Sequence, residues 1–105
     1  MAISPQLTDN ARTILETRYL LKGETPEGLY WRVANAIAAP EGTDKEAWAQ
    51  SFYELMADCT FMPNSPTLFN AGTGAGTLSA CFVIPVEDTM ESIMHAATVS
   101  AMIQK

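Results

Sequence analysis

The sequence predicts a mainly α fold: a three-helix amino-terminal segment, a long packed loop, then one strand and one helix that would begin a larger unit. Three observations carry this. Apolar residues recur at helical spacing in three stretches before Thr60, each opened by capping residue types. From residue 60 to 77 the periodicity vanishes, and Pro63, Pro66, Gly72, Gly74 and Gly76 interrupt the chain. Beyond it, residues 78–84 form a short apolar run with one polar member, followed by a D-x-x-E spacing of the kind that opens helices.

In the first helix, Leu7, Ala11, Ile14, Leu15, Arg18 and Leu21 share a face, with Thr8 or Asp9 placed to cap its start and Gly23 to end it. Thr25-Pro26-Glu27 supplies the second helix with a cap, a first-turn proline and a first-turn acid. Leu29, Tyr30, Val33 and Ile37 then line one face until Pro40 stops the run. Thr43 and Glu46 form a capping box for the third helix, whose apolar face is Trp48, Phe52, Leu55, Met56 and Cys59. A loop as long as 60–77 is uncommon in a compact domain and usually functional, and Phe61, Met62, Leu68 and Phe69 within it imply packing. Glycines before residues 78–84 and Pro85 after them read as the bounds of a buried strand. Asp88 and Glu91 then open a helix through Met90, Ile93, Met94, Ala97 and Ala101. A lone strand leaves its backbone groups unpaired, and no glycine or proline closes the last helix before Lys105. The expected organisation is therefore a helical domain at 1–77, containing the loop 60–77, and a strand and partial helix at 78–105 cut from a longer chain.

Composition excludes several classes of function. The chain has 105 residues, 48% of them hydrophobic and 17% charged, which is globular rather than disordered. A net charge of −6 argues against nucleic acid or an anionic membrane as partner, since both attract basic patches. No apolar run approaches the roughly 20 residues of a membrane span, and residues 1–10 lack the order of a signal peptide, so the expected location is the cytoplasm. Two cysteines without a CxxC, and one histidine, leave no basis for a zinc site or a disulfide scaffold.

Few residues invite chemistry on spacing alone. Gly72-Thr73-Gly74-Ala75-Gly76 suggests a phosphate cradle, but such loops follow a strand and open a helix, so a flexible connector is the better reading. Cys59 completes a helix face and behaves there as a small hydrophobe. Cys81 has two readings: a core cysteine of the strand, or a thiol whose access the adjacent glycine-rich loop controls. His95 has no acid or nucleophile at fixed spacing. Met56, Met90 and Met94 fill apolar stripes, and Asp88 is explained as a helix cap.

Read together, Met62-Pro63-Asn64-Ser65-Pro66-Thr67-Leu68-Phe69-Asn70-Ala71-Gly72-Thr73 and the S-A-C-F-V-I-P-V-E-D-T-M-E-S-I stretch from Ser79 to Ile93 resemble the large catalytic chain of ribonucleotide reductases, most closely the adenosylcobalamin-dependent class. Lys22-Gly23-Glu24-Thr25-Pro26-Glu27 is similar to the helical start of that class. The resemblance implies a helical domain ahead of a ten-stranded α/β barrel, with 60–77 as an active-site loop and 78–84 as the first barrel strand. It implies that Cys81 is one of two cysteines that reduce the ribose 2′ carbon. The partner cysteine and the radical-bearing cysteine would lie downstream. It implies substrate contacts at Thr67, Ser79 and Ala80, where aerobic relatives with a separate radical subunit carry serine in place of Ala80, and an effector site beginning at Asp88, Thr89 and Met90. For the full-length enzyme it implies adenosylcobalamin, a ribonucleotide substrate, a deoxynucleotide effector, a thioredoxin-like or dithiol reductant and a homodimer. Neither cofactor nor metal is expected on this segment, and the segment alone is expected to be inactive. The competing readings are a free-standing acidic helical interaction module and an inactive remnant of the enzyme.

Overall fold

The computed structural model describes residues 3–105 and contains five α-helices among them: α1 (Asp9–Ile14), α2 (Pro26–Ala38), α3 (Lys45–Ala57), α4 (Ser65–Asn70) and α5 (Met90–Gln104). The core lies between α2 and α3. Leu29, Tyr30, Val33, Ala34 and Ala38 of α2 meet Ala49, Tyr53, Met56 and Ala57 of α3, and Leu68 and Ala71 close one end. Alanines at the contact let the two helices approach closely, and the larger side chains fill the space between them. Trp31 stacks on Tyr53 at 4.1 Å, and the Tyr53 hydroxyl donates to the Ile3 carbonyl at 2.6 Å, which ties the amino-terminal strap to α3. Burial, with the nearby Glu27 carboxylate, pushes that hydroxyl's pKa up to about 12.

The second helix starts as expected: the Thr25 hydroxyl accepts from the Gly28 amide at 3.0 Å, and Pro26 occupies the first turn. Thr8 caps the first helix, which departs from a regular α-helix after Ile14 and finishes as a π turn over Leu15–Tyr19. Thr13 and Thr17 return their hydroxyls to the carbonyls four residues back, at 3.0 and 2.8 Å, and such back-bonding loosens the regular ladder. Gly23, at φ 79°, makes the turn that follows.

Several sequence expectations need correction. The Thr43–Glu46 capping box does not form, because a 3-10 turn over Ala39–Asp44 delivers the chain straight into α3. The buried face of α3 is Ala49, Tyr53, Met56 and Ala57, one position round from the expected stripe, leaving Trp48 46% exposed. Cys59 is no core filler. The helix ends at Ala57, and Cys59 follows at φ 64°, exposed, its thiol donating to the Gln6 carbonyl at 3.4 Å. The loop 60–77 is not devoid of regular structure, since α4 lies inside it. Finally, residues 78–84 form no strand, and no strand exists among the described residues, so the run has no ladder to join.

The last helix begins one residue later than expected. Thr89, not Asp88, caps α5 by accepting from the Ser92 amide at 3.1 Å, and Ser92 accepts in turn from the Glu87 amide at 2.8 Å. No residue of α5 is buried. No helix among the described residues is long and apolar enough to cross a membrane.

Candidate functional site

The resemblance placed Cys81 and its candidate substrate contacts around one feature, the passage from α4 to Cys81, and the structure shows what holds that passage. Helix α4 starts because Asn64 accepts from the Thr67 amide at 3.1 Å and Pro66 needs no donor in the first turn. Six residues cannot sustain a helix in water on their own, so the rest of the fold must hold it. Leu68 is only 6% exposed in the core. Tyr19 stacks on Phe69 at 4.7 Å, and its hydroxyl lies 2.8 Å from that of Ser65.

Arg32 of α2 does the remaining work. Its guanidinium donates to the Ala71 carbonyl at 2.7 Å and to the Leu68 carbonyl at 3.0 Å, satisfying acceptors that the end of α4 would otherwise leave open. Glu24 fixes the guanidinium from the other side, at 2.9 Å from Nε and 3.2 Å from Nη2. Partial burial pushes the Glu24 carboxyl upward. Hydrogen bonds from Arg32 and the Leu21 amide, with the guanidinium charge, outweigh it and leave the pKa below its ordinary value. Gly72 passes directly over this pair at φ 79°, where a Cβ would stand 3.0 Å from the Arg32 stem.

So anchored, α4 presents Thr67 and Asn70, three residues apart and therefore on one face. The Thr67 hydroxyl lies 2.7 Å from the Asn64 side-chain oxygen and 2.8 Å from the Leu78 carbonyl, with one proton to share between them. The Asn70 amide donates to the Thr77 carbonyl at 2.8 Å. Two consecutive carbonyls are thus held to α4, and Ser79, Ala80 and Cys81 follow at once. The glycine run makes the return between α4 and residue 77, in keeping with a connector.

Thr67 is buried with its hydroxyl engaged. Ser79 and Ala80 line a cavity of about 400 Å³ between the 77–84 segment and α5, opposite Ser100 and Gln104. Cys81 is a free, exposed thiol and does not line that cavity. Asp88, Thr89 and Met90 sit at the start of α5, away from its walls; Thr89 is committed to the cap, while Asp88 and Met90 are exposed. His95 is exposed on α5. Sequence reasoning missed Arg32, Asn64 and Asn70. The Asn64-Ser65-Pro66 order is a capping signal and was available; Arg32 gave none, because its acceptors lie 36 and 39 residues away.

Residues 5–76 match the ribonucleotide reductase all-alpha domain. The chain belongs to that family. Over 90% of its length it is 38% identical to a vitamin B12-dependent ribonucleoside-diphosphate reductase of Mycobacterium tuberculosis, covering 15% of that protein. A reductase of the same name from Thermoplasma acidophilum is 48% identical over 65 residues, 62% of this chain and 8% of the relative. The ribonucleoside-diphosphate reductase subunit alpha of Chlamydia trachomatis is 38% identical over 78% of the chain, again covering 8% of the relative. The chain therefore spans under a sixth of the length of these relatives. No solved structure matches it. The α4 anchor, from Tyr19 through Arg32 to Gly72, lies wholly within the stretch that matches the all-alpha domain.

Proposed function

We propose that this chain is the amino-terminal part of an adenosylcobalamin-dependent ribonucleotide reductase, which converts ribonucleotides to deoxyribonucleotides for DNA synthesis by thiyl-radical chemistry. Cys81 serves as one of its redox-active cysteine pair. The observation that carries the reading is the free, exposed Cys81 thiol three residues beyond a carbonyl held by the α4 of this family's own domain. In the net reaction the ribose 2′ carbon loses its hydroxyl as water and gains hydrogen, while two thiols give up two protons and two electrons and join as a disulfide. A thioredoxin-like or dithiol reductant returns the pair to thiols. The second cysteine and the radical-bearing cysteine belong to the longer chain. Cys59 is neither, in this reading, because it matches neither cysteine of the family; it follows the end of α3, its thiol donating to the Gln6 carbonyl.

Ser79 and Ala80 supply small side chains at the substrate, where backbone groups can approach a ribose or phosphate, and Thr67 braces them through Leu78 while keeping a lone pair for substrate. Asp88 is relieved of capping by Thr89, so its exposed carboxylate can accept from a ribose hydroxyl of a deoxynucleotide effector, beside Thr89 and Met90. The one imidazole among the described residues, His95, is exposed on α5, and no residue of the segment is assigned to the cobalamin. We assign that cofactor, and the homodimer contacts, to the remainder of the chain, with 78–84 completing the first strand of an α/β barrel when its partner strands are present. The first domain is 1–77, with 60–77 as its active-site loop, and the enzyme works in the cytoplasm.

The test is Cys81→Ser in the full-length chain. Turnover with a small dithiol should vanish while substrate affinity stays within about twofold, since a hydroxyl keeps the shape but forms no disulfide. Turnover at the wild-type rate would overturn the assignment of Cys81 to the redox-active pair.

A further inference from the structure

We infer that Asn70 is a positioning residue for the Cys81 thiol. The inference rests on the functional reading of Cys81 above and adds to it the group that sets where the thiol stands. Asn70 has a single hydrogen bond outside its own turn, from its side-chain amide to the Thr77 carbonyl at 2.8 Å. Its carboxamide also fills the space over Gly76: a Cβ there would fall 2.5 Å from the Asn70 Cγ, and Gly76 holds φ 73°. Any side chain at 76 would drive Asn70 off the Thr77 carbonyl. Residue 76 therefore keeps glycine for two separate reasons, and one of them is Asn70.

The consequence runs down the chain. Residues 79–84 form neither helix nor strand among the described residues, and Val83 is 97% exposed. What orients Cys81 is the pair of side chains that grip the backbone just before it, Thr67 at the Leu78 carbonyl and Asn70 at the Thr77 carbonyl. A single bond at 78 leaves the segment able to swivel. Two bonds at adjacent carbonyls, from positions one helical turn apart, fix both its direction and its register. Because α4 is itself clamped by Arg32, the grip refers Cys81 back to the α2–α3 core.

Asn70→Asp is nearly isosteric and replaces the donor with a carboxylate that repels the Thr77 carbonyl, so it removes the grip with little change in packing. With a nitroxide on Cys81 in a Cys59→Ser background, Asn70→Asp should shorten the label's correlation time by about twofold or more. The same label on Cys59, in a Cys81→Ser background, should not change. Gly76→Ala should reproduce the effect, and the double variant should add little to it, because both break one contact. In the full-length enzyme Asn70→Asp should lower kcat about fivefold, the value of one hydrogen bond, with KM within about twofold. A Cys81 label no more mobile in either variant, or an unchanged kcat, would overturn the role of Asn70. Full activity of Cys81→Ser would instead sink the functional reading, while the label result would still stand or fall by itself.

Discussion

The hydroxyl of Thr67 touches two oxygens and owns one proton, so it donates to either the Asn64 side chain or the Leu78 carbonyl at a given moment. Thr67→Val keeps the shape and removes the proton. The Leu78 carbonyl then loses its partner beside a buried residue, and we expect a cost of about 1–2 kcal/mol, read as a lower urea midpoint at unchanged slope. An unchanged midpoint would show that the hydroxyl contributes nothing to holding the segment. This bond also shows what was legible in the sequence. That Thr67 matters was visible from the motif it sits in, but its acceptor, a carbonyl eleven residues on, carries no side-chain signature. Cys59 failed for a related reason. A periodic face extends as far as apolar residues do, whereas the helix stopped where Asp58 and Thr60 offered a competing turn, the Thr60 amide donating to the Asp58 carboxylate at 2.9 Å.

Helix α4 depends on an ion pair between Arg32 of α2 and Glu24 in the turn before it, and the pH at which it loosens follows from Glu24. Its folded pKa lies below the ordinary 4.5, so the stability it contributes is fully present above that value and is lost as pH falls through the lowered folded one. Unfolding midpoints measured downward from pH 6 should therefore fall once the pH passes below the ordinary 4.5, and Glu24→Gln should flatten that part of the profile. An identical acid slope in the variant would contradict the sign. Arg32→Ala removes the guanidinium from two carbonyls and strands the Glu24 carboxylate, for an expected loss of about 2–3 kcal/mol in urea unfolding. Arg32→Lys should recover only part of it, since an ammonium cannot span the same fork. Helices α2 and α3 were readable because burial imposes a period on their sequences. Helix α4 was obscured by the prolines and glycines around it, although Pro66 is a first-turn proline and Asn64 its cap. An apolar run bounded by glycines and Pro85 points to a strand at 78–84, but pairing is a property of two segments, and no partner strand exists among the described residues.

The described molecule is not one compact body. Its radius of gyration is 17.4 Å, against about 13 Å for a compact domain of similar length, and its extents are 57 × 36 × 24 Å. The excess comes from residues 79–105, where Phe82, Val83, Ile93, Met94 and Met102 are exposed and no residue of α5 is fully buried. A helix of 15 residues with no fully buried side chain is marginal in water, so α5 should add little to global stability. A chain ended after Ser79 keeps the core, the Arg32 clamp and both gripped carbonyls, and its thermal midpoint should lie within about 3 °C of the 105-residue chain. Amides of α5 should exchange with solvent orders of magnitude faster than those of α2 and α3, because no residue of α5 is fully buried and opening it exposes little covered surface. A midpoint lower by 10 °C or more on that scale, or α5 amides as protected as those of α2, would mean that α5 packs on the helical unit and is part of its core. The apolar side chains that α5 and residues 79–84 leave in water are those that the remainder of a longer reductase would have to cover. On that reading, adding the rest of the chain should slow α5 exchange toward the rate of the core and leave α2 and α3 unchanged.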